Sequence, residues 1–200
     1  MWALVESNNV TQVFTRPKGI TLGEVNYPSN IFMLWTASEL EAIGIYEVVI
    51  DNTNLKDEKY YINTNQNFDF ADGVVTASYG VATAKPLDDV LFTAQEETDG
   101  LGTEGDVKQP GIRQSYKDTI NAQAGGILQD TDWMVVRAAE GGTAVPSDIA
   151  TWRAAVRTKS NDMCTAIDGA ADVDALAALY EYNDAEPPVR PLGEFPELGA

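Results

Sequence analysis

The sequence predicts an α+β protein made of a small, mostly antiparallel N-terminal module, an acidic Gly-rich linker, a helical domain and an extended Pro-rich arm. Residues 1–84 alternate apolar and polar side chains between turn signals, as half-buried strands do. Residues 112–182 are rich in alanine and place apolar residues at helical spacing. Residues 85–111 include an acidic, glycine-rich stretch, and residues 183–200 contain four prolines, which exclude a helix there.

The N-terminal module begins with a predicted hairpin. Its strands are Trp2–Val5 and Val10–Phe14, and Ser7-Asn8-Asn9 between them favours a turn because asparagine tolerates positive φ. The continuous apolar run Ile31–Trp35 fits either a buried strand or the approach to a helix.

A short helix and further strands complete the module. Thr36-Ala37-Ser38-Glu39 matches the capping box of a helix start, and Gly44 suits the position after the helix end. Strands are predicted at Ile45–Ile50, Tyr60–Ile62, Phe68–Phe70 and Val74–Tyr79. We expect the second and third of these to pair, and Asp72-Gly73 to form the hairpin turn before the last.

The C-terminal half is predicted to be helical between a linker and an arm. Residues 85–111 are expected to be extended and ordered only against a partner. Helices are predicted from Gln114 to Ala124, from Asp130 or Thr131 to Glu140, from Pro146 onward and from Asp172 onward, with Gly125-Gly126 and Gly141-Gly142 ending the first two. In the arm, residues 183–200, Leu192 and Phe195 are expected to act as hydrophobic pegs.

The composition excludes several classes of chemistry. The chain has 31 acidic and 13 basic residues and a net charge of −18, so nucleic acid and anionic membranes are disfavoured partners. It has no histidine, the commonest general base, and its single cysteine, Cys164, cannot form an intrachain disulfide or a multi-cysteine zinc site. No apolar run of membrane-spanning length and no signal peptide is visible. We therefore expect an acidic, protein-binding chain without cofactor or metal.

Candidate sites for chemistry have simpler interpretations. Asp51, Asp57 and Glu58 flank a turn and could supply paired carboxyl groups, but solubilising loop charge is the favoured interpretation. A calcium loop in the acidic segment fails because its third position is Leu101 and its twelfth is Pro110.

One pattern is more specific. Asp130-Thr131-Asp132-Trp133 with Arg137 is followed by Pro146, Ile149, Trp152-Arg153 and Val156-Arg157. This pattern, T-D-W-x-x-x-R and then P-x-x-[IV]-x-x-[YW]-R-x-x-[LV]-R, resembles the C-terminal domain of phage tail assembly chaperone-like proteins over about residues 114–158. The N-terminal module is also similar to the leading domain of such proteins. The resemblance implies a helical hairpin closed by Gly141-Gly142, with Trp133 packed on the apolar stripe of Trp152.

The resemblance implies a non-enzymatic tail protein that binds other tail or tail-fibre proteins in several copies around a symmetric tail. It would act as a structural adaptor in the virion or as an assembly chaperone in the host cytoplasm. The expected partner-binding residues are Trp133, Arg137, Trp152, Arg153, Arg157, Leu192 and Phe195. The alternatives are a glycan hydrolase that uses two carboxyl groups and an acidic decoy that mimics DNA.

Overall fold

The computed structural model describes residues 1–199 and divides the chain into two compact units, Met1–Thr83 and Ala84–Ala200. The first unit holds a mixed sheet with two short helices, and the second is dominated by helices. The predicted α+β class, with helices in the C-terminal part, is confirmed. The last residue of the predicted arm, Ala200, lies outside the described residues.

The first unit is built around a curled, five-stranded sheet. Its elements in chain order are β1 (Trp2–Glu6), β2 (Asn9–Phe14), β3 (Ile20–Leu22), β4 (Val25–Tyr27), α1 (Ile31–Leu34), α2 (Ala37–Glu41), β5 (Ile45–Asp51), β6 (Tyr61–Ile62), β7 (Gln66–Ala71), β8 (Val74–Tyr79) and β9 (Thr83–Ala84). The sheet order is β2-β1-β5-β8-β7. Neighbouring strands are antiparallel except β5 and β8, which run parallel with Val48 opposite Val75.

Two tight turns set the local pairing of this sheet. Ser7 and Asn8 both have positive φ, 51° and 62°, and join β1 to β2 as predicted. Asp72 and Gly73, at 50° and 78°, join β7 to β8 in the same way. The predicted pairing of Tyr60–Ile62 with Phe68–Phe70 is wrong, because the turn at Asp72-Gly73 commits β7 to β8 along its whole length while β6 pairs with β9.

The two faces of the sheet carry separate hydrophobic clusters. The larger cluster consists of Leu4, Phe14, Ile20, Ile31, Phe32, Leu40 and Ile45. The smaller one, on the other face, is built from Ala3, Val48, Val75 and Ala77. Alternation along β1 explains the division, because Ala3 and Leu4 point to opposite faces of the sheet.

The helices α1 and α2 cover the larger cluster. The apolar run that begins at Ile31 is a helix, α1, which resolves the two alternatives left by the sequence. The capping box of α2 is confirmed: Thr36 Oγ1 accepts from the Glu39 N–H, and Glu39 Oε2 accepts from the Thr36 N–H. Gly44 has φ of 80°, and a Cβ there would lie 3.0 Å from the Val5 carbonyl oxygen, so glycine is required.

The second unit contains β10 (Val90–Leu91), α3 (Ala94–Thr98), β11 (Val107–Gln109), α4 (Ile112–Ala139), α5 (Ser147–Asp168) and α6 (Val173–Ala178). Residues 85–111 therefore differ from the extended linker predicted for them, because β10 and β11 pair around α3. Polar contacts provide the missing anchors: Thr93 and Glu96 form a capping box, and Lys108 forms an ion pair with Glu96. The Thr-x-x-Glu spacing in the sequence could have indicated this helix.

The helix α4 is a single helix of 28 residues, so the predicted end at Gly125-Gly126 is wrong. Each glycine costs about 1 kcal/mol relative to alanine inside a helix. Burial of Ile120, Ala124 and Thr131 on the same helix offsets that cost. The predicted end at Gly141-Gly142 is confirmed: the Gly142 N–H donates to Arg137 O at 2.9 Å and the Gly141 N–H to Ala138 O, a Schellman motif.

The helices α5 and α6 also match their sequence signals. Pro146 is the N-cap of α5, and the Asp172 side chain caps α6 by accepting from the Ala175 N–H at 2.8 Å. Val156, Met163 and Ile167 form the buried stripe of α5. Among residues 1–199, no helix has both the length and the apolar character that crossing a membrane requires.

Candidate protein-binding surface on the helical unit

A buried arginine joins the two long helices. Arg153, on α5, is 7% exposed. Its Nη1 donates to Leu128 O at 2.8 Å and to the Thr131 hydroxyl, and its Nη2 donates to Asp132 Oδ1 at 2.6 Å. Thr131 Oγ1 also donates to Leu128 O, so the neutral groups belong to one network. These internal contacts bury the guanidinium of Arg153, and its role in binding a partner stays a prediction.

Trp133 lies on the outer face of α4. Its side chain is 54% exposed, and the guanidinium carbon of Arg137 lies 4.8 Å from its ring centroid. Val136, one turn further along α4, is 55% exposed. The implied packing of Trp133 against the α5 stripe is wrong. Thr131 faces α5, and a residue two positions later is rotated by about 200° around the helix, away from α5.

Trp152 contacts the arm. Its side chain is half-buried, and its Nε1 donates to Pro196 O at 2.9 Å. Next to that contact, Phe195 is also half-buried. The arm therefore lies on the same unit as α5.

Leu192 is buried in its own unit, at 2% exposure. Its N–H donates to Leu179 O at 3.0 Å, and Lys159 Nζ donates to Leu192 O at 2.8 Å. The side chain of Leu192 thus packs within the second unit, and its role in binding a partner stays a prediction.

The remaining predicted residues, Arg137 and Arg157, differ from each other. Arg137 is half-buried, and its Nε is buried without a hydrogen-bond partner within residues 1–199. Arg157 is exposed and forms no hydrogen bond or ion pair with the described part of the chain. Arg137 thus lies beside Trp133 on the outer face of α4, whereas Arg157 is exposed on α5.

Sequence reasoning did not identify Arg113, which holds the end of α5. Its Nη1 donates to Ile167 O at 2.5 Å and to Asp168 O at 2.8 Å, and its Nη2 donates to Ala170 O at 3.0 Å. Its Nε donates to Asp88 Oδ1 at 2.6 Å and lowers the pKa of that carboxyl. No local pattern predicts this role, because the carbonyl partners lie 54 to 57 residues away.

An open groove of about 670 Å³ lies between the start of α5 and the end of the arm. The apolar residues that line it include Ile149, Trp152, Ala155 and Leu198. The groove and the outer face of α4 around Trp133 both present apolar surface on the second unit. The two long helices of this unit, α4 and α5, are joined by the hydrogen bonds of Arg153.

The groups considered for chemistry have ordinary environments. Hydrogen bonds from the Thr53 hydroxyl and N–H lower the pKa of Asp51, so this carboxyl stays ionised at neutral pH. Asp57 Oδ1 accepts from the Lys59 N–H at 2.8 Å. Burial raises the pKa of the Cys164 thiol, which favours its unreactive form. Within residues 1–199, no group of three or more metal-ligating side chains is placed to hold an ion.

Comparison of the chain with models of protein families, with curated proteins and with solved structures finds no match.

Proposed function

We propose that the chain is a non-enzymatic bacteriophage tail protein that acts by protein-protein binding. It serves as a structural adaptor of the tail or tail fibres in the virion, or as an assembly chaperone in the host cytoplasm. Its partners are other tail or tail-fibre proteins, met in several copies around a symmetric tail, where repeated contacts add avidity.

The observation that carries the proposal is the exposed side chain of Trp133 on α4, with the half-buried Arg137 guanidinium over its ring and the exposed Val136 beside it. Tryptophan and arginine are enriched among the residues that dominate binding energy at protein interfaces. Both residues belong to the pattern that resembles tail assembly chaperone-like proteins. The exposure of Trp133 supports a binding role for that pattern, because this side chain does not pack in the core.

The contacts that join α4 to α5 support the same role. Arg153, Thr131 and Asp132 join α5 to α4, so the Trp133 face sits on a helix that is already ordered. A partner then binds a preorganised surface, and the entropy cost of ordering it at the interface is small. In this proposal the arm adds Phe195 and Leu198 next to the groove, while Leu192 holds the arm in place.

The proposal is tested by mass spectrometry of purified particles of the phage that encodes the chain. The adaptor role predicts the chain in fixed copy number in virions. The chaperone role predicts its absence from virions and a complex with tail proteins in infected cells. Absence from both would refute the proposal.

A variant locates the contact. We expect Trp133→Ser to remove the chain from its virion or tail-protein complex, because the exposed aromatic anchor is lost. Its free energy of unfolding should change by no more than about 0.5 kcal/mol, since the side chain lies on the surface. Leu101→Ser, at a position 64% exposed in the same unit, is the matched control and should retain binding. Equal retention by both variants would contradict the assignment of this face.

A further inference from the structure

A pocket of about 180 Å³ in the first unit has an unusual lining. Three aromatic side chains and one carboxylate are among the residues that line it. The lining residues are Trp2, Phe32, Trp35, Ala37, Leu40, Ile45 and Glu47. Sites for drug-sized ligands are about 300–1,000 Å³. This pocket therefore fits a single head group or the end of one side chain.

Ring contacts hold the aromatic walls in place. The Trp2 and Phe32 centroids are 5.0 Å apart, and Tyr27 and Trp35 form a T-shaped pair with centroids 5.8 Å apart. Trp35 is the C-cap of α1, with extended φ and ψ of −85° and 147°, and its N–H donates to Ile31 O. The turn between α1 and α2 thus sets the position of this tryptophan, which is 36% exposed.

The carboxylate at the pocket has no internal partner. Glu47 lies directly opposite Trp2 in the pairing of β1 and β5. It is exposed and forms no hydrogen bond or ion pair with any residue in the described range 1–199. This carboxylate is therefore available to pair with a cation in the pocket.

Aromatic faces and a carboxylate together select a cation. The negative faces of tryptophan and phenylalanine attract ammonium and guanidinium groups, and an arginine plane also stacks on an indole while it pairs with a carboxylate. An anion would be repelled by Glu47. A neutral apolar group would leave the carboxylate unpaired.

We propose that this pocket binds the guanidinium or ammonium group of an arginine or lysine side chain carried by a partner protein. Met33 and Leu34, which precede Trp35, are 70% and 73% exposed, and a protein would cover this apolar surface where a free small cation would not. The net charge of −18 also steers basic partners toward the chain. The inference rests on the proposed protein-binding function and names the chemistry of a partner.

The test titrates the full chain with the peptide acetyl-Gly-Arg-Gly-amide and with its citrulline analogue, which has nearly the same shape without the charge. Nuclear magnetic resonance follows the four indole N–H signals, two of which, Trp133 and Trp152, belong to the second unit. We expect the arginine peptide to shift the Trp2 and Trp35 signals and leave the other two unmoved. Citrulline should bind at least about 3-fold more weakly. Equal binding of the two peptides, or shifts spread over all four signals, would overturn the proposal.

Two variants and a control complete the test. Trp35→Leu keeps an apolar wall without the aromatic face and should weaken the arginine peptide by about 3- to 10-fold. Glu47→Gln should weaken it by about 2- to 5-fold at low salt, with the difference fading as salt is raised. Tyr182→Leu, which removes an aromatic side chain that is 55% exposed in the second unit, should leave binding unchanged. If neither pocket variant weakens binding, the pocket is not the site.

The outcome is separable from that of the proposed function. A chain that enters particles but shows no preference for arginine over citrulline would overturn the pocket assignment alone. A chain that prefers arginine but is absent from virions and tail-protein complexes would leave the pocket standing and remove the tail role.

Discussion

Replacement of Arg153 by methionine should destabilise the helical unit by about 3 kcal/mol. Arg153 donates to Leu128 O, to the Thr131 hydroxyl and to Asp132 Oδ1. A hydrogen bond to a charged group contributes roughly 1.5–3 kcal/mol when it is buried. The Asp132 side chain is 56% exposed, so its ion pair is screened and adds at most about 1 kcal/mol. Methionine keeps the apolar stem, and the bond from Thr131 to Leu128 O survives, which limits the loss.

The assay is urea denaturation of the full chain, followed by hydrogen exchange of α4 and α5 amides. Exchange of these helices reports the second unit separately from the first, so the measurement does not require the whole chain to unfold in one step. A loss of about 3 kcal/mol corresponds to a fall of roughly 10 °C in Tm for a unit of this size.

Arg157→Met is the matched control, because Arg157 lies one turn further along α5 and is exposed without a hydrogen bond or ion pair in the described residues. We expect it to change the free energy of unfolding by no more than about 0.5 kcal/mol. If the two variants have the same free energy of unfolding, Arg153 does not stabilise the packing of α4 on α5. The surface around Trp133 is then not preorganised by this residue.

Further outcomes follow from the arm and from the β10–β11 hairpin. Leu192→Ala should destabilise the second unit by about 2–5 kcal/mol, because Leu192 is 2% exposed. Val189→Ala is the control and should be nearly neutral, because Val189 is 52% exposed. Equal unfolding midpoints for the two variants would contradict the packing of the arm on the unit. A hydrogen bond from Lys108 and a second from the Thr93 N–H lower the pKa of Glu96 from 4.5 to about 2. Because its folded pKa is depressed, Glu96 stabilises the hairpin above about pH 4.5 and loses that contribution as the pH falls through about 2. Amide exchange of residues 90–109 should show this acid sensitivity, and Glu96→Gln should abolish it; an identical pH profile in the variant would be inconsistent with the pairing.

Much of the first unit could be predicted because its signals are local. The turns at Asn8 and Asp72-Gly73 and the capping box that starts at Thr36 each depend on residues within a few positions of one another. The pairing of β6 could not be predicted. The sequence of a short apolar segment does not specify which strand it pairs with. Here β6 pairs with β9, which lies well beyond it along the chain.

The candidate surface was predicted in part. The sequence pattern identified Trp133, Arg137 and Arg153 as candidate partner-binding residues. Their positions around the axes of α4 and α5, however, place some of them inside the unit and others on its surface. Arg153 faces inward with Thr131, and Trp133 faces outward about 200° around the helix from an inward position. The pocket at Trp35 and Glu47 could not be predicted, since cross-strand pairing and a helix turn bring its walls together.

The amino-acid sequence by itself determined the α+β class, the acidic charge and the sharp turns, because composition, periodicity and turn chemistry act at short range. Only the tertiary structure decided that α4 continues through Gly125-Gly126, that Leu192 fills its own unit and that Arg153 is internal. Those outcomes depend on contacts such as Arg153 to Leu128 and Lys159 to Leu192, which span 25 and 33 residues. Such contacts form only once the chain has folded, so no local pattern in the sequence reveals them.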